Sequence, residues 1–330
     1  MRVLLPLFVS LILNAQMLKI ATYNVENLFD LKKSGYEYKE YIPNGRSNWN
    51  KKTYKIKLKN IAKVIKDIDA DIIALEEIES LQALKDLKNT LKQNGLYYKY
   101  FKIANLKNTT IKVALLSKLP FSSKEIAVTS SYKYRNILEA KFKINNEDLY
   151  VMVCHFKAKS GPESMRIISA KALAKEVQKI GVDKNIIALG DFNSDYEEYK
   201  KFKRKRKLNN TNGITGINHI LGTINHQQPA TKTDISYGDF YNLWYDVDKK
   251  ERYSYIFRGK KEAIDSILIT KALLDNKGID YTLHSCHTFK PAYLFKKRHI
   301  YRWQMSWRKP RKHLGRGFSD HLPVVAEFRY

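Results

Sequence analysis

Five apolar, strand-like segments of the sequence lie next to side chains that could carry acid–base or metal chemistry. Asn24 follows "IATY", Glu77 follows "IIALE", His155 follows "YVMVC", Asp191 and Asn193 follow "IIALG", and Asp320 with His321 precedes "LPVVAEF". A single polar residue at one strand end is usually a turn residue. Five such ends form a pattern, because ligand sites in layered α/β proteins gather at strand ends. We therefore predict that these side chains form one site.

The residue types of this predicted site suit one chemistry. Glu77, Asp320 and Asn24 offer hard oxygen ligands, which favour Mg²⁺ over a soft metal, and such an ion polarises a phosphoryl oxygen. His155 and His321 could transfer protons or donate to phosphate oxygens, because an unperturbed imidazole titrates near a pKa of ~6.5. Asp265 stands inside the apolar run "AIDSILI". A carboxylate buried there needs a partner, and an imidazole would serve.

The segments that must position these residues alternate between strand and helix patterns. Apolar residues recur at helical spacing in "KIKLKNIAKVIKDI", whereas "DIIALEEIE" and "KNIIALGDF" are short apolar runs typical of buried strands. Ser80 and Gly95 are placed to cap a second helix, and Pro162 and Gly181 to bound a third. This mixed order predicts an α/β layered fold, with sheets inside and helices outside.

The sequence also predicts a signal peptide followed by a single domain with two basic insertions. Residues 1–15 contain Arg2 and the apolar run "VLLPLFVSLIL", which has the length of a signal peptide and is short for a membrane span. We expect an exported protein, periplasmic or secreted. Residues 16–330 are expected to form a single catalytic domain with basic insertions near 196–260 and 286–316, since neither an internal repeat nor a Pro/Gly linker separates two domains.

The composition favours a polyanionic partner. Lys and Arg number 60 and Asp and Glu 33, a formal net charge of +27. Such a surface attracts nucleic acid or anionic membrane, although a genome rich in A and T also inflates Lys. The two cysteines, Cys154 and Cys286, exclude a Cys-rich zinc site and a disulfide scaffold. They could pair in an oxidising compartment, but nothing in the sequence requires it.

Six motifs together resemble those of the endonuclease/exonuclease/phosphatase superfamily, in its deoxyribonuclease I-like form. They occur in the family's order over about residues 17 to 329: "TYNVENLF", "DIIALEEIE", "CHFKAKSG", "GDFNS", "AIDSILI" and "FSDHLPV". "GDFN" and "SDHLP" are the most specific. The resemblance implies a four-layered α/β sandwich of two packed β-sheets flanked by helices.

The resemblance also implies a role for each matching residue. The metal ligands are Asn24, Glu77 and, nearby, Asp320. The catalytic residues are His155, Asp191, Asn193, Asp265 and His321. In this assignment Asp265 holds His321, and Asp191 with Asn193 orients the attacking water. Asn193 and Arg135 also contact the substrate phosphate. Glu76 departs from the family, which usually has Gln there; it either adds a carboxylate near the metal or faces solvent.

The motifs do not distinguish between phosphate esters, so the substrate must be recognised by the surface around the site. Basic and aromatic residues crowd the segment before the "SDHLP" motif, where basic groups could neutralise phosphates and rings could stack on bases. The nucleic-acid surface is predicted to include Lys296, Lys297, Arg298, Arg302, Trp303 and Trp307. The basic run Lys200–Lys207 is as easily a solvated face.

We therefore predict an exported, Mg²⁺-dependent nuclease that acts on DNA, with RNA as an alternative substrate. Mn²⁺ or Ca²⁺ could substitute or assist, nucleic acid is the expected partner, and the protein is expected to act as a monomer without an obligate protein partner. A sphingomyelinase of the phospholipase C type or a phosphoinositide phosphatase would use the same motifs. A nucleic-acid-binding protein without activity is the alternative of another class, and chelation of the metal would distinguish it.

Overall fold

The computed structural model describes residues 16–105, 109–202 and 208–330. The predicted signal peptide, residues 1–15, lies outside the described residues, as do residues 203–207 of the basic run. In the ranges that are described, no helix has the length and apolar character needed to cross a membrane.

In the described residues the secondary structure alternates between long strands, which build two sheets, and four α-helices. The helices are α1 (Lys51–Ile68), α2 (Leu81–Gln93), α3 (Glu163–Ile180) and the single turn α4 (Glu198–Lys201). In chain order the strands are β1 (Met17–Leu28), β2 (Ile72–Ile78), β3 (Tyr100–Ile103), β4 (Lys112–Ser117), β5 (Phe121–Ile126), β6 (Ile137–Ile144), β7 (Glu147–His155), β8 (Asn185–Asp191), β9 (Ile224–Asn225), β10 (Gln228–Pro229), β11 (Tyr241–Asn242), β12 (Tyr255–Phe257), β13 (Lys260–Glu262), β14 (Asp265–Ile269), β15 (Asp280–Tyr281), β16 (His287–Thr288), β17 (Phe295–Lys296), β18 (His299–Ile300) and β19 (Val324–Arg329).

Two mixed sheets contain the long strands. The first has the order β15-β19-β1-β2-β4-β3, with β16 also paired to β19, and the second has the order β11-β14-β8-β7-β6-β5. In the first sheet β1 lies parallel to β2 and antiparallel to β19. In the second, β8 lies parallel to β7 and antiparallel to β14. Three hairpins lie outside both sheets: β9–β10, β12–β13 and β17–β18.

Three apolar clusters hold four layers together. The two sheets face each other across one cluster, in which Ile20 and Ile72 of the first sheet meet Val153 and Leu189 of the second. Helices α1 and α2 cover the outer face of the first sheet, and α3 covers the outer face of the second through residues such as Leu173. The predicted four-layered α/β sandwich is confirmed.

Local signals in the sequence set the helix ends. Asn50 caps α1 by accepting the backbone N–H groups of Lys52 and Thr53, while the Thr53 hydroxyl accepts the Asn50 N–H in a capping box. Ser80 caps α2 through the N–H of Ala83, as predicted. Pro162 and Gly181 flank α3, also as predicted.

Cys154 and Cys286 are free and buried. Cys154 packs between the second sheet and α3, whereas Cys286 belongs to the cluster between the sheets. Because they lie in separate cores, both act as small apolar side chains.

Candidate active site

Strand register brings three of the predicted catalytic residues into one row of the second sheet. In the ladder between β7 and β8, His155 is the partner of Asp191. In the ladder between β8 and β14, Asp265 is the partner of the same Asp191. The carboxyl ends of β7 and β8 meet the start of β14 at this edge, so residues that are 36 to 110 positions apart become neighbours.

The first sheet supplies the facing residues across the gap. Asn24 lies on β1 and Glu77 on the adjacent β2. Glu77 has a φ of 66°, and the ladders on both sides of β2 shift register here. A left-handed conformation at a non-glycine residue costs roughly 1–3 kcal/mol and persists only where the surroundings impose it. The bulge turns Glu77 toward the site while its neighbour Glu76 faces the core.

Asp265 and His321 form a buried, hydrogen-bonded pair in the site. The Asp265 Oδ2 atom accepts from the His321 Nδ1–H at 2.8 Å and from the Ser254 hydroxyl at 2.5 Å. Burial of the imidazole opposes protonation, but the carboxylate of Asp265 outweighs it and raises the pKa of His321 well above its usual value. His321 therefore carries a proton at neutral pH, with Nε2 free to donate toward a ligand.

Asp191 accepts several hydrogen bonds from neighbouring groups. Its Oδ1 accepts the Asn193 backbone N–H at 2.8 Å, and its Oδ2 accepts the amide groups of Asn193 at 3.2 Å and Asn24 at 3.1 Å. Burial, and then the nearby carboxylate of Asp265, raises the pKa of Asp191 to about 7. A carboxylate with this pKa can both accept and release a proton near neutral pH.

His155 is the neutral histidine of the site. Its Nε2 lies 3.5 Å from Asp191 Oδ2 and 4.0 Å from Glu77 Oε1. Burial, and then the positive charges of Arg135 and His321, lower the pKa of His155 well below its usual value. The two histidines thus differ in charge at neutral pH, which is the condition for dividing acid and base roles between them.

Arg135 and Asn193 lie beside His155 and Asp191, at the open end of the site, which we call its mouth. Arg135 donates to the Phe156 carbonyl at 3.1 Å, and Asn193 donates to the same oxygen at 3.2 Å. Asn193 has a φ of 49°, so it turns the chain directly after Asp191. Both predicted phosphate-contacting residues therefore stand beside His155 and Asp191, within one cluster.

The more exposed carboxylates of the site fit a hard divalent cation. The side chains of Glu77 and Asp320 are 18% and 20% exposed, while that of Asp265 is 1% exposed. Burial and then the charge of Asp320 raise the pKa of Glu77. Two facing carboxylates that repel each other at an open mouth are stabilised by a cation between them. Their oxygens suit Mg²⁺, Mn²⁺ or Ca²⁺.

A second grouping of possible metal ligands lies deeper. One ligand atom each of Asp191, Asp265 and His321 lies within 4.8 Å of the others, so this buried cluster could also bind a metal. However, Asp265 and His321 are already hydrogen-bonded to each other. A cation there would compete with that bond, whereas Glu77 and Asp320 offer a second, more exposed position that could hold an ion.

Asn24 joins the two sheets at the site. Its Nδ2 donates to Asp191, and its Oδ1 accepts the Glu26 backbone N–H at 3.0 Å. The predicted role of Asn24 as a metal ligand would use the second lone pair of that Oδ1. The backbone oxygen of Asn24 accepts the Ser319 hydroxyl at 2.6 Å, which fixes the loop that carries Asp320.

Glu76 does not face solvent. Its side chain is fully buried, and Oε1 accepts the Thr22 hydroxyl at 2.8 Å. Burial, and then the charge of Asp265, raise the pKa of Glu76 well above its usual value. The solvent-facing alternative in the sequence analysis was therefore wrong, because the register of β2 directs this side chain between the sheets. Its position near Asp265 and Asp191 leaves the alternative of a carboxylate near the metal as a prediction.

The basic C-terminal insertion is bonded directly to the active site. Arg302 donates to Glu26 Oε1 from Nε at 2.9 Å and lies 3.2 Å from Asp320 Oδ2 through Nη2. Glu26 Oε2 also accepts the Trp303 backbone N–H at 3.0 Å. Burial, and then the charge of Asp320, raise the pKa of Glu26 to about 7. Arg302 thus fixes a predicted metal ligand as well as lying on the surface.

The predicted nucleic-acid surface needs one correction. Trp303 is 2% exposed, and its indole N–H donates to His313 Nδ1 at 2.7 Å. It packs near Trp49 within the cluster that covers the first sheet, so its ring cannot stack on a base. The remaining members are exposed, and Trp307 is 99% exposed.

Three residues of the site were missed by the sequence analysis. Ser254 bonds Asp265, Tyr255 lies against the His321 ring with centroids 4.8 Å apart, and Glu26 binds Arg302. Glu26 could have been found, because it stands two residues after Asn24 in one strand-like segment. Ser254 and Tyr255 carry no local signal, since their partners are distant in sequence.

Comparisons with known proteins agree with this fold. The sequence matches the profile of the Endonuclease/Exonuclease/phosphatase family over residues 19–329. It has no significant match among the curated proteins compared with it.

Three solved structures illustrate the likeness. TDP2 from D. rerio, complexed with single strand DNA product, is 14% identical; the match covers 95% of this chain and 99% of that one, with a TM-score of 0.58. An AP endonuclease from Archaeoglobus fulgidus is 16% identical over 94% and 98%, with a TM-score of 0.57. A family protein from Bacteroides thetaiotaomicron is 15% identical over 96% and 98%, with a TM-score of 0.55. At these identities the structures show a shared fold, while the profile match shows the family. The chain belongs to the endonuclease/exonuclease/phosphatase family.

Proposed function

We propose that this protein is an exported, divalent-metal-dependent nuclease that hydrolyses phosphodiester bonds in DNA, with RNA as a second candidate substrate. The observation that carries the proposal is the convergence of Asp191, His321 and the Glu77–Asp320 pair at one mouth. These groups supply a water-binding carboxylate, a proton donor and a cation site within one site. Mg²⁺ is the preferred ion, because the proposed ligands are oxygen atoms.

The reaction is the addition of water to the phosphorus of a diester. Asp191 holds the water, with Asn193 and Asn24 fixing the carboxylate. As the new P–O bond forms, the water proton passes to Asp191, whose pKa of about 7 permits the transfer. The bond to the leaving oxygen breaks, and the products are an alcohol and a phosphate monoester. When bound, the cation supplies positive charge that stabilises the developing negative charge on the phosphoryl group.

His321 and His155 have separate tasks in this reaction. His321 is protonated and held by Asp265, so it can donate a hydrogen bond to a phosphate oxygen or a proton to the leaving oxygen. His155 is neutral and faces Asp191, so it positions that carboxylate. Arg135 adds a permanent positive charge beside the phosphate position.

Nucleic acid is proposed as the substrate because of charge. The formal net charge is +27, and exposed basic residues flank the mouth at Lys296, Lys297 and Arg298. Neutralising successive backbone phosphates needs such a surface. A sphingomyelinase-like activity is the second candidate, because the rings of Phe257 and Trp307 are 52% and 99% exposed near the mouth and aromatic residues also suit a membrane interface.

Replacing His321 by Ala should slow nicking of plasmid DNA by about 10²- to 10⁴-fold. The reason is that the variant loses the proton donor but retains the cation site and the basic surface. Nicking is measured on supercoiled plasmid with Mg²⁺, and DNA affinity is measured separately in EDTA, where it should not change. EDTA itself should abolish cleavage, and added Mg²⁺ should restore it.

His287→Ala is the matched control, because His287 is exposed on β16 and its ring contacts the Ser285 carbonyl instead of a site residue. It should nick plasmid at the unaltered rate. Normal nicking by the His321→Ala protein would refute the mechanism. Turnover of sphingomyelin or inositol phosphates, with no cleavage of plasmid, single strands or RNA, would replace the proposal by the phospholipase alternative.

A further inference from the structure

Two hairpins outside the sheets enclose a groove that leads away from the reactive centre. One is β12–β13 and the other is β17–β18, and the space between them has a volume of about 640 Å³. Asp320 and Trp307 both belong to its lining. The catalytic steps derived above use only Asp320 of this lining, so the rest of the groove has no role in them.

The wall formed by β12 carries a row of rings that begins at the catalytic imidazole. Tyr255 pairs with His321 through a backbone bridge, and the two rings lie 4.8 Å apart between centroids. Phe257 comes next, with its ring 6.4 Å from that of Tyr255 and only 11° from parallel to it. The Arg258 guanidinium lies over the Phe257 ring, 5.3 Å from its centroid, but Phe257 is still 52% exposed, so part of its ring is open to a ligand.

The opposite wall includes a tryptophan whose side chain is not packed into the fold. Trp307 is 99% exposed, whereas Trp303 of the same segment is buried and hydrogen-bonded to His313. Tyr301 also lines the groove. A large ring left in solvent beside a catalytic mouth is typical of a surface that stacks on a ligand.

The charge of the groove specifies an anion. Its lining contains the cationic side chains of Arg258, Lys296, Lys297 and Arg302, and its one carboxylate, Asp320, is paired with Arg302. Cations spaced along a groove, interleaved with rings, are the combination that binds a nucleic-acid backbone while its bases stack.

We propose that this groove binds a single-stranded segment of nucleic acid. The bases next to the scissile phosphate stack on Phe257 and Trp307, and Arg258, Lys296 and Lys297 contact the backbone. A duplex does not satisfy the same wall, because its base faces are already covered by neighbouring bases. The inference rests on the proposed nuclease function and adds the strandedness of the substrate.

The test measures binding separately from catalysis. A fluorescein-labelled 20-nucleotide oligothymidylate and a hairpin duplex of equal nucleotide number are titrated with the protein in EDTA, and anisotropy is recorded. The wild type should bind the single strand more tightly. Phe257→Ala and Trp307→Ala should each weaken single-strand binding by about 5- to 100-fold and leave duplex binding unchanged.

Tyr237→Ala is the matched control, because Tyr237 is a 60% exposed ring outside the groove; it should change neither affinity. Equal affinity of the wild type for strand and duplex, or an unaltered strand preference in both groove variants, would overturn the inference. So would loss of binding to sphingomyelin-containing vesicles in those variants with single-strand binding intact.

Plasmid nicking separates this inference from the proposed function. If the wild type nicks plasmid with Mg²⁺ but binds single strand and duplex equally in EDTA, the proposed function is retained and the inference is lost. A wild type that binds single strands through Phe257 and Trp307 but cleaves no phosphodiester retains the groove and loses the function.

Discussion

The pKa of a carboxyl group in this site depends on how deeply the group is buried and on which groups lie beside it. Asp265, Asp191 and Glu76 are all almost fully buried near one another, and they cannot all be charged without a large free-energy cost. Asp265 and His321 are hydrogen-bonded to each other at 2.8 Å. Among the described residues, Glu76 has only the Thr22 hydroxyl as a hydrogen-bond partner, and burial followed by the charge of Asp265 raises its pKa well above the usual value.

Replacing Glu76 by Gln should therefore stabilise the protein at high pH. A carboxyl whose folded pKa lies above its unfolded value contributes stability that is fully present below the unfolded pKa and is lost as pH rises through the folded pKa. The pKa of Glu76 is raised in the fold, by burial and then by Asp265, and Gln cannot ionise. Thermal melts should show similar midpoints at pH 4 and a variant midpoint a few degrees higher at pH 9.

The comparison at pH 4 is the internal reference for this variant. Asp191 and Glu26 also have raised pKa values, but they are present in both proteins and cancel in the difference. A variant that is less stable than the wild type at pH 9 would show that a charged Glu76 is needed in the core. Plasmid nicking at pH 7 should be retained, since the amide keeps the shape of the side chain.

At the scale of elements, the C-terminal insertion depends on a close backbone approach. Gly317 has a φ of 92°, and a Cβ atom there would overlap the carbonyl oxygen of Arg302. The two segments therefore pack with main chain against main chain, which brings Arg302 to Glu26 and Asp320. Lys57 supports the same loop by donating to the Phe318 carbonyl at 2.9 Å.

Gly317→Ala should lower both stability and activity. The left-handed conformation alone costs a residue with a Cβ roughly 1–2 kcal/mol, and the overlap with Arg302 adds to this and displaces the guanidinium from Asp320. Gly259→Ala is the control, because Gly259 has a φ of 78° with nothing near its Cβ position. Urea unfolding should show a larger loss for Gly317→Ala, and only that variant should need more Mg²⁺ for nicking. Equal losses would mean that the close approach has no role.

At the scale of the whole molecule, electrostatics should dominate the encounter with substrate. The formal charge of +27 acts over the entire surface, but counterion release depends on the cations that touch phosphates. Lys296, Lys297 and Arg298 are exposed on the β17–β18 hairpin beside the mouth. Lys59, Lys63 and Lys66 lie on α1, along a separate surface of the molecule.

Changing Lys296, Lys297 and Arg298 together to Gln should reduce the salt dependence of DNA binding. Each lost phosphate contact lowers the slope of log affinity against log salt by about 0.7 to 0.9, so the triple variant should lose up to about 2 to 3. The slope is measured by anisotropy in EDTA between about 50 and 200 mM NaCl. Lys59, Lys63 and Lys66 changed together to Gln remove the same charge and should leave the slope nearly unaltered. Equal changes would mean that only the overall field matters.

Local patterns in the sequence determined the layers of the fold and the ends of its helices. The capping role of Ser80 and the limits of α3 at Pro162 and Gly181 were predicted correctly, because caps depend on neighbours within four residues. Apolar runs predicted the buried strands. Polar residues directly after those runs predicted the candidate site, because a chain leaves the core at its strand ends.

Only the tertiary structure decided which side chains meet and which are available. Register aligned His155, Asp191 and Asp265 in one row, and the bulge in β2 separated Glu77 from Glu76. Trp303 and Trp307 have equal hydrophobicity and similar neighbours in sequence, yet one is buried and one is exposed. Their difference arises from the packing of distant segments such as Trp49 and His313. Burial and pairing across many residues are collective properties of the folded chain, and no local pattern encodes them.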